Sequence, residues 1–250
     1  MTPERSASPT PWRSAAAQVL VTDLAAPELE PADLHHLQRV LRLRVGDQLC
    51  ATNGHGGWRT CAFLGTEQLE SLSELHQEPP PEYTVTVGFA LVKGDRPELV
   101  VQKLTELGVD QIWPFMSHRS VVRWDEQRAE KQLTRLRRVA QESCAQSRRL
   151  WLPQVGYPSN PDQPLPAAGL AGFREVCTQG AVLAQMGSRD LHPTDRTVLI
   201  GPEGGWEKTE CEGADCVGLG EHVLRAETAA ITAGVLLTAQ RAGFYTQSLR

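Results

Sequence analysis

Apolar and polar positions change rhythm twice along this 250-residue chain. Over residues 31–43, Leu34, Leu37 and Leu41 recur at helical spacing, which predicts a short helix. Two short apolar runs, 47–52 and 58–64, then flank Asn53-Gly54-His55-Gly56-Gly57. Asn and Gly tolerate the positive φ of tight turns, so the pattern predicts a hairpin. Pro79-Pro80-Pro81 favours stiff extended chain and marks a domain boundary. Beyond it strand and helix alternate. Residues 83–91 predict a strand, 97–107 a helix stopped by Gly108, and 109–115 a second strand. A long helix comes next over 125–149, with Leu133, Leu136, Ala140 and Cys144 on its buried face. Short buried strands are predicted at 181–185 and 197–200, and a last helix at 227–240. This alternation predicts an α/β domain with a mostly parallel sheet over 83–250, after a small β-rich domain over 14–78. Residues 1–13, rich in Pro, Ser and Thr, predict a disordered tail.

Composition narrows the function classes. Formal net charge is -5, which argues against a protein that simply coats nucleic acid. The six cysteines form no CxxC pair and are too scattered for a disulfide framework, so reduced thiols in a cytoplasmic protein are expected. The seven histidines show no metal spacing, and no metal is expected. The tail has no apolar segment of a signal peptide. The longest apolar stretches, 15–21 and 231–239, are too short or interrupted to span a bilayer, so no membrane partner is expected.

Four segments carry candidate chemistry. Leu199-Ile200-Gly201-Pro202-Glu203-Gly204-Gly205-Trp206 ends a strand in a glycine-rich loop, and open α/β sheets bind ligands at the carboxyl ends of their strands. It is neither a dinucleotide fingerprint nor a P-loop, and a plain strained turn is the competing reading. Leu219 to Ala229 repeats the arrangement, a glycine loop before a helix of small residues. There Arg225 and Glu227 could equally be a local surface ion pair. Residues 119–149 hold nine of the chain's 25 lysines and arginines against four acidic residues. Together with Arg39, Arg42 and Arg44 this points to phosphate contact, although most charge runs are simply solvated faces. Lys93-Gly94-Asp95-Arg96-Pro97-Glu98 is either a substrate edge or a helix start capped by Asp95.

Taken in order, several stretches resemble the RsmE family, the N3-uridine methyltransferases of small-subunit ribosomal RNA. They are His36-Leu37-Gln38-Arg39-Val40-Leu41-Arg42 with Gly46-Asp47, then Gln102-Lys103-Leu104-Thr105-Glu106-Leu107-Gly108. Ser117-His118-Arg119-Ser120 and Ala140-Gln141-Glu142-Ser143-Cys144-Ala145-Gln146-Ser147 come after them, and then the two glycine loops. The stretch 156–180 matches no part of that pattern. The resemblance implies a PUA-like β-barrel followed by a SPOUT α/β domain with a trefoil knot, acting as a homodimer on 16S ribosomal RNA in the small ribosomal subunit. It implies S-adenosylmethionine as methyl donor, held near Leu183, Ala184, Leu199, Ile200, Gly201, Glu203, Gly204, Gly205, Leu219, Gly220, Val223, Leu224 and Arg225. Arg225 and Glu227 are the expected catalytic pair. Arg225 would stabilise charge on the uridine, and Glu227 would accept the N3 proton or orient Arg225. Expected RNA contacts are Arg39, Arg42, Arg44, Lys93, Arg119, Arg137, Arg138 and Arg148. Competing readings are a ribose 2′-O methyltransferase of the same superfamily and a non-catalytic RNA-binding assembly factor.

Overall fold

The computed structural model describes residues 11–158, 170–178 and 180–244. Most of the expected tail, up to residue 10, and residues 159–169 of the Pro- and Gly-rich stretch lie outside this set. The chain divides into two compact units. One holds residues up to Pro80 together with Cys144–Leu152; the other holds Pro81–Ser143 and the chain from Pro153.

The first unit contains α1 (Pro11–Ser14), β1 (Ala17–Leu20), α2 (Pro31–His35), β2 (Gln48–Thr52), β3 (Gly57–Phe63), β4 (Leu69–Ser71) and β5 (His76–Gln77). β1 to β4 lie side by side in that order, and β5 also pairs with β3. β1 and β2 run parallel, and the other pairs are antiparallel. The expected hairpin joins β2 to β3. Asn53 Oδ1 accepts from the amides of His55 (2.8 Å) and Gly57 (3.1 Å), the local bond that lets Asn lead a turn. Val19, Leu37, Leu49, Cys61 and Phe63 form the core of the sheet.

Two expectations fail in this unit. The helix foreseen over 31–43 ends as a π-turn over His36–Val40, closed by Leu41 N–H donating to His36 O at 3.1 Å. The extra residue rotates the downstream chain by about 100°. Leu41 therefore turns outward (46 % exposed), and Leu43 packs on the core instead. The tail foreseen to residue 13 stops short of Trp12, which is buried with its ring 5.0 Å from Trp58. Trp58 in turn stacks on His76 at 4.4 Å. Burying the large Trp12 ring offsets part of the entropy lost in ordering this segment.

Cys50, Cys61 and Cys144 are buried without a disulfide. Burial pushes the Cys50 thiol up to about 12, with Cys61 nearby adding to the shift, and pushes Cys61 and Cys144 up to about 11. A thiol reagent at neutral pH should label the half-exposed Cys177, Cys211 and Cys216 first. The three buried thiols should react only on unfolding; early labelling of Cys50, read by peptide mass, would contradict this burial. Raised values also mean that stability is fully present below about pH 9 and is lost towards pH 12. An alkaline unfolding series should show that loss.

The second unit holds β6 (Thr86–Ala90), α3 (Arg96–Leu107), β7 (Gln111–Met116), α4 (Glu126–Gln146), β8 (Gln154–Val155), β9 (Ala171–Gly172), α5 (Phe173–Val176), β10 (Ala181–Arg189), β11 (Thr197–Ile200), α6 (Lys208–Cys211), β12 (Cys216–Val217) and α7 (Ala226–Arg241). The strand order is β12-β10-β11-β6-β7-β8, with β9 also on β7, and every pairing is parallel. Every residue of β6 is buried, as expected for a parallel strand covered on both faces. Leu133, Leu136, Ala140 and Cys144 lie on the buried face of α4 as expected. α4 stops at Gln146 rather than 149, and Arg148 takes a left-handed φ of 58°. β10 runs four residues past the apolar run that predicted it, because backbone pairing to β12 resumes at Arg189 after a register shift. Asp95 precedes α3 but its side chain makes no capping bond. No helix among the described residues is long and apolar enough to cross a membrane. No described group of three His, Cys, Asp or Glu is arranged to hold a metal.

Candidate functional site

Parallel strands deliver the loops after β6, β7, β11 and β12 to one edge of the sheet. β10 is the axis of this edge, since Leu183 faces Leu199 of β11 on one side and Cys216 of β12 on the other. Strands lie about 4.8 Å apart, so the two glycine loops leave the sheet about 10 Å from each other.

The loop after β11 is held from three directions. Trp206 folds back over it: its indole N–H donates to Ala184 O at 2.9 Å, and its ring lies parallel to Phe115 with centroids 6.2 Å apart. A Cβ at Gly201 would come within 3.0 Å of that ring, so Gly201 is glycine because Trp206 packs on it. Gly205 (φ +70°) and Gly220 (φ +144°) have nothing within 4 Å of a Cβ, and these are the open positions of the two loops. Arg119 donates from Nε to Glu207 Oε2 (2.7 Å) and from Nη1 to Gly204 O (3.3 Å). Its guanidinium holds the Glu207 carboxyl below the usual carboxylate range, and the Lys208 amide adds to the effect. Underneath, the Glu210 side chain is fully buried. It accepts from Ser117 Oγ (3.1 Å), His118 N (3.0 Å) and Glu207 N (2.8 Å), and so ties the loop after β7 to the start of α6.

The second loop enters α7 at Arg225, an exposed residue in extended backbone whose side chain makes no capping bond. Glu227, in the first turn, does not pair with it. Its Oε1 lies 3.7 Å from Arg96 Nε, while its Oε2 is buried with no hydrogen-bond partner. Arg96 Nη1 also donates to Glu203 Oε1 at 3.0 Å. The local Arg225–Glu227 pair entertained from the sequence is absent, because Arg96 reaches Glu227 instead.

The structure sorts the expected residues. Leu183 and Leu199 are fully buried and Ile200 is nearly so, leaving only their backbone for a ligand. Leu199, expected near the methyl donor, has its side chain in the core with Phe115. Leu219 and Leu224 are half-buried and Val223 is 80 % exposed, so their side chains are available. Glu203 and Gly204 are exposed, and Ala184 is half-buried. Among the expected RNA contacts, Arg39, Arg42, Arg44 and Lys93 are exposed. Arg119 and Arg148 are engaged within the protein, Arg148 Nη2 donating to Ala15 O (2.9 Å) and Ala16 O (3.0 Å). Arg137 Nε donates to Val155 O at 3.1 Å, and Arg138 pairs with Glu142 one turn away. Sequence reasoning held Arg96, Trp206 and Ser117 within its motifs without giving them a role, and missed Glu210. Only the Glu207–Glu210 spacing, a capping box, left a local signal.

A parallel sheet with two glycine loops at its carboxyl edge, following a small mixed sheet, defines the class. Residues 78–238 match the model of an RNA methyltransferase domain, and residues 29–68 match that of an RNA methyltransferase PUA domain. The chain is 33 % identical to "Ribosomal RNA small subunit methyltransferase E" of Synechocystis, over 92 % of this chain and 81 % of the relative. With the protein of that name from Bacillus subtilis it shares 31 % over 80 % of this chain and 85 % of the relative. A solved ribosomal RNA small subunit methyltransferase E from Neisseria gonorrhoeae, bound to S-adenosyl methionine, superposes with a TM-score of 0.70. Its identity is 26 %, over 89 % of this chain and 97 % of that one. The chain belongs to the ribosomal RNA small subunit methyltransferase E family.

Proposed function

We propose that this protein transfers a methyl group from S-adenosylmethionine to N3 of a uridine in 16S ribosomal RNA of the small ribosomal subunit. It does so as a cytoplasmic homodimer built on the knotted α/β domain that the family resemblance implies. The observation that carries the reading is the carboxyl edge of the sheet: two loops with open glycines, an exposed Arg225, and a buried Glu227 oxygen without a hydrogen-bond partner among the described residues.

These residues fit the methyl donor. Open positions at Gly205 and Gly220 leave room for close backbone approach, and half-buried Leu219 and Leu224 offer apolar surface for an adenine. S-adenosylmethionine, when bound, supplies an electrophilic methyl on a sulfonium. The protein's part is positioning and proton handling, since held geometry lowers a two-substrate barrier strongly. Neutral uridine carries a proton on N3, and that proton must leave. In this reading Glu227 accepts it and Arg225 stabilises negative charge on the base oxygens; an Oε2 left without a hydrogen-bond partner among the described residues supports the role of Glu227. Arg39, Arg42, Arg44 and Lys93 serve the RNA phosphates.

Calorimetric titration with S-adenosylmethionine should give heat at micromolar protein, and its absence would count against donor binding. Nucleosides from ribosomal RNA of cells lacking the protein should lose one N3-methyluridine; loss of a ribose-methylated nucleoside instead would favour the 2′-O reading. Light scattering should give twice the 27.5 kDa chain mass.

A further inference from the structure

We propose that Arg96 is a positioning residue that locks the two glycine loops into one frame. The inference rests on the methyl-transfer function just proposed but concerns a residue which that reading does not use. Arg96 is the first residue of α3, after the loop that leaves β6, and Pro97 beside it is buried. Its place is therefore set by a third strand end, independent of both glycine loops. From there it meets one carboxylate on each side: Glu203 in the loop after β11 at 3.0 Å, and Glu227 in the first turn of α7 at 3.7 Å. Glu227 is 13 % exposed at its side chain and Arg96 is 38 % exposed, while Glu203 is 41 % exposed, so the contact to Glu227 is the drier of the two.

The geometry has one consequence that a plain surface ion pair would lack. With Oε1 in ion-pair range of Arg96 at 3.7 Å, the Glu227 side chain keeps its other oxygen, Oε2, buried and without a hydrogen-bond partner among the described residues. Arg96 thus fixes the direction of Oε2. Through Glu203 it also makes that direction depend on the donor loop being in place. A guanidinium can face two carboxylates at once, which an ammonium on a flexible stem does poorly.

The test uses the full-length protein, first without ligand. Hydrogen exchange at amides 201–207 and 218–229 should quicken together by about threefold in Arg96→Gln, the scale of losing a partly exposed ion pair. Glu203→Gln should reproduce the change, and combining it with Arg96→Gln should add nothing. In turnover on small ribosomal subunits, Arg96→Gln should lower kcat by about tenfold with the KM for RNA unchanged, a positioning loss. Arg96→Lys should recover part of it. Exchange that quickens in one loop only, additive effects of the two substitutions, or an unchanged kcat would overturn the proposal. If the parent protein binds no S-adenosylmethionine while the exchange result holds, the proposed function fails and the bracket stands.

Discussion

Glu227→Gln should lower methyl transfer by about a hundredfold or more and leave the protein folded. The rate loss comes from the proton on uridine N3: a carboxylate can take it and an amide cannot, and a positioned base contributes about 10²–10⁴-fold. The fold should survive because Glu227 Oε2 makes no hydrogen bond that the substitution would break. Only the 3.7 Å contact to Arg96 is weakened, and Gln can still present an oxygen to it. Donor affinity should therefore change little, so the loss appears in kcat. Single-turnover methylation, with donor binding measured in parallel, separates these quantities. A variant that retains more than a tenth of the parent rate would remove Glu227 from proton transfer. The charge on the base would then have to be carried by Arg225 alone, and Arg225→Ala would become the larger effect.

Glu210→Gln should cost about 3 kcal/mol of stability, although the residue touches no substrate in the proposed mechanism. Its carboxyl group is wholly out of water and accepts three donors, two of them backbone amides. An amide cannot accept at both ends. Placed either way, its NH₂ group points at the N–H of His118 or of Glu207, and a buried donor goes unpaired. For a domain of this size the thermal midpoint should fall by roughly 10 °C. The loop after β11 loses its floor in the same step, so donor affinity should fall too. Glu207→Gln, by contrast, changes an exposed, solvent-screened pair with Arg119 and should leave the thermal midpoint nearly unchanged. Equal midpoints for the Glu210→Gln protein and its parent would show that Ser117 and the two amides find other partners.

How much of this was legible along the chain depends on the range of the interaction. The hairpin at Asn53, the α3 stop at Gly108 and the buried face of α4 come from local rules, since turn chemistry and helical period act within a few residues. The two glycine loops were legible for the same reason: a buried apolar strand running into glycine marks a strand end. The family emerged from the order of weak motifs. The π-turn that turns Leu41 outward left no such mark, because period alone does not register one inserted residue. The apolar run ends β10 at 185 because Gly187, Ser188 and Arg189 carry no apolar pattern and are strand only through pairing with β12.

The site itself divides along the same line. The sequence by itself determined the residue types at the sheet edge, including Arg225, Glu227 and the open glycines. Only the tertiary structure decided who partners whom. Arg96 reaches Glu203 across 107 positions and Glu227 across more, Glu210 reaches Ser117 across 93, and Trp206 reaches back 22 to Ala184. A parallel sheet brings distant strand ends together, and charge pairs and indole hydrogen bonds form wherever ends meet. No periodicity along the chain encodes such a meeting, so their partners became visible only when the strand order β12-β10-β11-β6-β7 was known.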